Sequence, residues 1–180
     1  MAEIKSTIDL VMERTRHMIM SEEERRAAER AEHLEKAPGY VHKAVEGLWQ
    51  PEQLQEALAQ VPDSFREAVR MEVIRGLLDR LESSESAGAA MAALKAVARE
   101  GERRFVEELG RLLEAFHSQT EEAESEQKKA LLSELERMGI RGDAIQVGPP
   151  GKSPRGDARR DRLVRRIEEI KGAWLSGGRP

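Results

Sequence analysis

The sequence predicts an all-α protein: an elongated helical bundle of about six to seven helices, with a long central helix and N- and C-terminal helical appendages. Three observations point there. Glu, Arg, Ala and Leu dominate the chain, and all four are strong helix formers. Charged residues make up 36% of the sequence and aromatics only 3%, so any core must be aliphatic. Long amphipathic helices, with much surface per unit of core, suit that composition better than a sphere. Apolar residues also recur at helical spacing through most of the 180 positions. A chain of this length is one domain, or one domain with an appendage.

The elements follow in order. Ala2–Met18 reads as a helix whose Ile4, Ile8, Val11, Thr15 and Met18 are spaced 4, 3, 4, 3. This is a heptad seam about two heptads long, the coiled-coil-like signature of a docking or dimerisation helix. Ser21 with Glu24 is a capping-box pattern, and it starts a polar helix over 22–36. Ala37–Pro38–Gly39 is read as its stop. A short helix over 39–49 follows, with Val41, Val45, Leu48 and Trp49 on one side. Pro51 then opens another, carrying Leu54, Leu58 and Val61.

Pro62–Asp63–Ser64 reads as a break and N-cap. The clearest amphipathic helix comes next: Phe65, Val69, Val73, Leu77 and Leu81 lie four apart, with Ile74 and Leu78 beside them. A polar loop at 82–86 leads into a long helix over 87–117, roughly 45 Å at 1.5 Å per residue. The acidic stretch 118–125 either continues that helix or breaks it. Helix resumes over 126–138, with Ala130, Leu131, Leu135 and Met138 expected inward. Gly139 suits the left-handed position past the helix end. Residues 140–147 are expected to be an extended loop or a single strand.

Residues 148–156, GPPGKSPRG, read as a linker. A basic helix over 157–175 carries the stripe Leu163, Val164, Ile167, Ile170 and Trp174. The expected organisation is therefore 1–36 for docking or oligomerisation, 37–147 as core, 148–156 as linker and 157–180 as a basic helix with its tail.

Charge separates the two ends of the chain. Residues 148–180 hold nine Lys or Arg against four Asp or Glu, leaving +5; with −4 overall, residues 1–147 carry −9. A basic segment on an acidic body either docks back on that body or reaches an anionic partner. Arg159, Arg160, Arg162, Arg165 and Arg166 are the candidate anion-binding residues, since guanidinium forks can grip phosphate oxygens in pairs. No aromatic side chain is interleaved with them, and Trp174 alone could stack a base.

Other motifs carry less. GPPGKS resembles a phosphate loop, but Gln146 stands where the first glycine belongs, and Pro149 and Pro150 remove two backbone donors. Arg141–Gly142–Asp143 reads as a chance tripeptide. His17, His33, His42 and His117 never pair at i+3 or i+4, so no metal site is expected, and each reads as a surface residue. No carboxylate pair or serine has the context of a catalytic group. There is no cysteine, which fits a reducing cytoplasm, and no apolar run approaches 18 residues.

These readings converge on a non-catalytic, cytoplasmic adaptor or assembly protein without cofactor or small-molecule substrate. It is expected to form a homo-oligomer, most simply a dimer, or to bind a protein partner. The residues singled out for protein contact are Ile4, Ile8, Val11, Leu163, Ile167, Ile170 and Trp174. The alternative is a nucleic-acid- or ribosome-associated factor using the five arginines; an anionic membrane surface ranks last.

Overall fold

The computed structural model describes residues 20–82, 85–139 and 154–177. Among them are seven α-helices and no strand: α1 (Glu22–Glu35), α2 (Ala37–Val45), α3 (Pro51–Ala59), α4 (Asp63–Asp79), α5 (Ala87–Val97), α6 (Arg103–Arg137) and α7 (Pro154–Leu175). The all-α helical bundle is thus present. The N-terminal seam, the 140–147 segment and most of the 148–156 linker lie outside the described residues.

Local chemistry sets most boundaries. Ser21 accepts from the Glu24 backbone at 3.1 Å while Glu24 takes the Ser21 N–H at 2.7 Å, the reciprocal cap that the sequence promised. Ala37–Pro38–Gly39 does not simply end that helix. Pro38 falls in the first turn of α2, where its missing N–H is harmless, so the chain turns at Lys36 and continues helical. Gln53 accepts the Gln50 N–H at 2.8 Å to open α3.

Asp63 and Ser64 provide no side-chain cap for α4, whose N-cap is Pro62. Arg66 acts instead on the previous helix. Its guanidinium donates to the carbonyls of Leu58, Ala59 and Val61 at 2.9–3.2 Å. A cation is thereby placed on the negative end of the α3 dipole.

The core is centred on α4. Val69, Val73, Ile74, Leu77 and Leu78 are wholly buried, with Leu81 in the 3-10 turn that follows. α2 packs most extensively on α4, and α5 on α3 and α4. His33 of α1 stacks on Phe65 with ring centroids 5.6 Å apart, so this histidine is half-buried rather than a surface residue.

Gly76 lets α2 approach α4: a Cβ there would stand 2.9 Å from Val41 Cγ2, inside a buried valine. Gly76→Ala should therefore destabilise by about 1–3 kcal/mol despite its better helix propensity. The clash predicts less-than-additive loss with Val41→Ala in chemical denaturation. Strictly additive losses would show that the two positions do not press on each other.

Two expectations about the long helix are corrected. It is not one helix over 87–117. Ala98 turns extended (φ −70°, ψ 135°), a 3-10 turn covers Glu100–Glu102, and α6 starts at Arg103. The acidic stretch 118–125 then continues as helix, making α6 35 residues long. From Arg111 to Met138 there is neither Gly nor Pro to stop it. Residues 126–138 are accordingly not a bundle helix, and the place expected for them beside α4 and α6 is taken by α7.

Candidate functional site: the C-terminal helix and the free end of α6

α7 lies against α6, α4 and the 3-10 turn. Its stripe supplies Leu163, Ile167, Ile170 and Trp174, all buried in the same cluster as the body's own core. These four residues, singled out for partner contact, are therefore occupied within the chain. A fully buried aliphatic side chain stabilises by about 1.5–3 kcal/mol, so the stripe by itself holds α7 firmly. Trp174 stacks on Phe105 of α6, centroids 5.5 Å apart and planes 15° apart.

The basic residues divide by position. Arg166 bridges Glu108 of α6 at 2.7 Å and Glu169 at 2.6 Å. These partners, Glu169 first, raise its pKa. Lys171 reaches Asp79 at the end of α4 (2.6 Å) and Glu168 (2.9 Å), which likewise raise its pKa. Arg159 donates to the Gln119 carbonyl at 2.6 Å. Arg162 and Arg165 bond only the carbonyl four residues back in their own helix, and Arg160 makes no ion pair among the described residues. The body's acids thus take Arg166 and Lys171, while Arg160, Arg162 and Arg165 stay open to solvent.

Beneath Trp174 lies a charged node absent from the sequence reading. Arg70, 7% exposed, pairs with Glu102 through two bonds of 2.7 and 2.8 Å, with Glu67 at 2.8 and 3.1 Å, and with the Val97 carbonyl at 3.2 Å. Arg99 also bonds Glu67, and its backbone N–H donates to Glu102 at 2.9 Å. The node ties α4 to the α5–α6 turn and helps to hold the helix break there.

Burial alone would lower the Arg70 pKa, but Glu102 and Glu67 outweigh it and raise it. Burial likewise opposes ionisation of Glu102, yet Arg70 and the Arg99 N–H hold its carboxyl below the ordinary range. The Arg70 hydrogen bond does the same for Glu67. The indole N–H of Trp174 is buried without a hydrogen bond of normal geometry, although it lies near enough to help lower Glu102 weakly.

One sequence signal could have exposed this node. On a 100° helical wheel Arg70 falls between Ile74 and Leu77, inside the apolar arc of α4. A cation there must find buried carboxylates.

Among the described residues two open grooves flank α6, beside a smaller one at Arg159 and Arg162. One, of ≈ 420 Å³, runs between α5 and α6 past Lys95, Arg103, Val106, Gly110 and Arg111. The other, of ≈ 380 Å³, is bordered by Glu82, Phe116, His117, Arg160 and Leu163. Both have an apolar floor and a rim of mixed charge. Among the described residues no three His, Asp or Glu side chains gather as a metal site, and no helix is long and apolar enough to cross a membrane.

The second surface is the free end of α6. Its last buried residue is Leu113. From Glu121 to Gly139 no hydrogen bond or ion pair joins it to another described element, and its own acids and bases form no ion pair among the described residues. Leu131 is 41% exposed and Met138 63%, with Leu132 and Leu135 half-buried. Leu131, Leu135 and Met138, expected to point inward, instead line an outward helical stripe. The seam residues Ile4, Ile8 and Val11 lie outside the described residues. A comparison with known proteins finds no matching family model, curated protein or solved structure.

Proposed function

We propose that this protein is a non-catalytic helical adaptor or assembly protein, acting through protein–protein contacts made by the free end of α6. The observation that carries this reading is the outward stripe Leu131–Leu135–Met138 on a helix segment that contributes nothing to the hydrophobic core. A helix amphipathic beyond its own bundle is built to lay that face on something else. The seam Ile4, Ile8 and Val11 is proposed as a second contact surface of the same kind, and a reducing cytoplasm as the setting.

A second reading has its own support. Among the described residues Arg160, Arg162 and Arg165 pair with no acid, while Arg166 and Lys171 are neutralised. Those three would make phosphate contacts to a nucleic acid or ribosome, binding that weakens steeply with salt.

One capture experiment on the full chain decides between them, comparing retained protein and nucleic acid at low and high salt. Leu131→Glu with Met138→Glu should abolish protein capture at unchanged melting temperature. Ile8→Asp with Val11→Asp should weaken it. Reversal of the three arginines to Glu should leave it intact. Nuclease-sensitive capture lost only in the arginine variant would sink the adaptor reading and establish the other.

A further inference from the structure

The free end of α6 has a charge pattern that complements itself when the helix is reversed. Residues 126–138 carry three acids and three bases, the bases at Lys128, Lys129 and Arg137. Place a two-fold axis across the helix at Leu132. Lys128 of one copy then faces Glu136 of the other, and the symmetry-related pair repeats on the far side of the axis. On a 100° wheel Lys128 and Glu136 lie to the same side of the Leu131–Leu135–Met138 stripe. In an antiparallel helix pair like flank meets like flank, so the two symmetry-related Lys128–Glu136 pairs form about one axis, with Leu131 and Leu135 of both copies between them.

We infer that the occupant of this stripe is a second copy of the chain, paired antiparallel through residues 126–138 with Leu132 at the two-fold. This rests on the adaptor reading above and specifies its first partner. Two observations agree with it. The stripe is exposed only on this segment of α6, and the flanking charges there find no ion-pair partner within the described residues. A 13-residue pair is about 20 Å long, at the small end of specific interfaces. The expected dissociation constant is therefore micromolar, with dimers forming and separating over ordinary working concentrations.

The test is sedimentation velocity on the full chain across a concentration series, with melting temperature as a control for folding. The wild type should pass from monomer to dimer in the micromolar range. Leu135→Glu should weaken the dimer at least about 100-fold, since both copies lose a buried leucine. Lys128→Glu should weaken it about tenfold by facing Glu136 with a like charge, and Glu136→Lys added to the same chain should restore it. Those two positions are eight residues, about 12 Å, apart on one helix, so the rescue cannot arise within a single chain.

A wild type that stays monomeric at high concentration overturns the inference. So does a dimer indifferent to Leu135→Glu, or a double charge reversal that fails to restore pairing. If the chain is monomeric yet Leu135→Glu abolishes capture of a different protein, the second-copy inference falls and the adaptor reading stands. If neither property depends on Leu135, both fall.

Discussion

Arg70→Met should lower stability by about 3–5 kcal/mol, because it leaves Glu67 and Glu102 facing a site from which their cation has gone. In a domain of this size the loss corresponds to a fall of about 10 °C in melting temperature. The pH dependence gives the sharper signature. Glu67 and Glu102 have folded pKa values below the unfolded one, so the stability they contribute is fully present above about pH 4.3 and is lost as pH falls through the depressed values.

Without Arg70, burial of Glu102 is no longer outweighed, and its folded pKa should rise above the unfolded value. The sign of its contribution then reverses: stability from that group is greatest at low pH and declines as pH rises. Urea denaturation of both proteins between pH 3 and 6 should show a positive slope in the wild type and a flattened or negative one in the variant. Equal slopes would mean that the node does not hold these carboxylates ionised. Removing the whole set, Arg70→Met with Glu67→Gln and Glu102→Leu, should recover much of the loss, since no uncompensated buried charge then remains.

Trp174→Ala has the second large effect. The indole is 1% exposed and stacked on Phe105, and truncating a buried Trp costs about 3–5 kcal/mol. The loss falls on the end of α7, so it should appear as local opening before global unfolding. α7 is rich in trypsin sites, and cleavage within it should accelerate by about 100-fold when opening is fast relative to cutting. Trp174→Phe keeps an apolar ring on Phe105 and removes the indole N–H that lacks a proper acceptor, so it should retain most of the protection. Tryptic cleavage of α7 at the wild-type rate in Trp174→Ala would show that the stripe does not fasten the helix. The basic segment would then be a detachable arm.

Sequence alone placed much of the framework. The i+4 row from Phe65 to Leu81 named the clearest amphipathic helix, and all of its members after Phe65 are buried. The stripe of α7 was legible down to its individual residues, as were the capping box at Ser21 and the left-handed Gly139, whose φ is +78°. These features are local: each is settled by the spacing of apolar residues or by one side chain within reach of its own backbone.

What the stripe of α7 rests on was not local. The same period describes a helix that docks on its own body and one that seeks a partner. The choice fell to Phe105, Leu109 and Leu113, far away in sequence, and to Glu108 and Asp79 waiting for Arg166 and Lys171. For the same reason residues 126–138 appeared to be a bundle helix until α7 was found in that place. The break after Val97 also escaped pattern reading, because Arg70, some thirty residues earlier, helps to hold it. Helical periodicity is a property of neighbours along the chain, and it fixed where helices form and which face of each is apolar. Which faces meet depends on complementary shape and charge between distant segments, and only the folded chain brings those together.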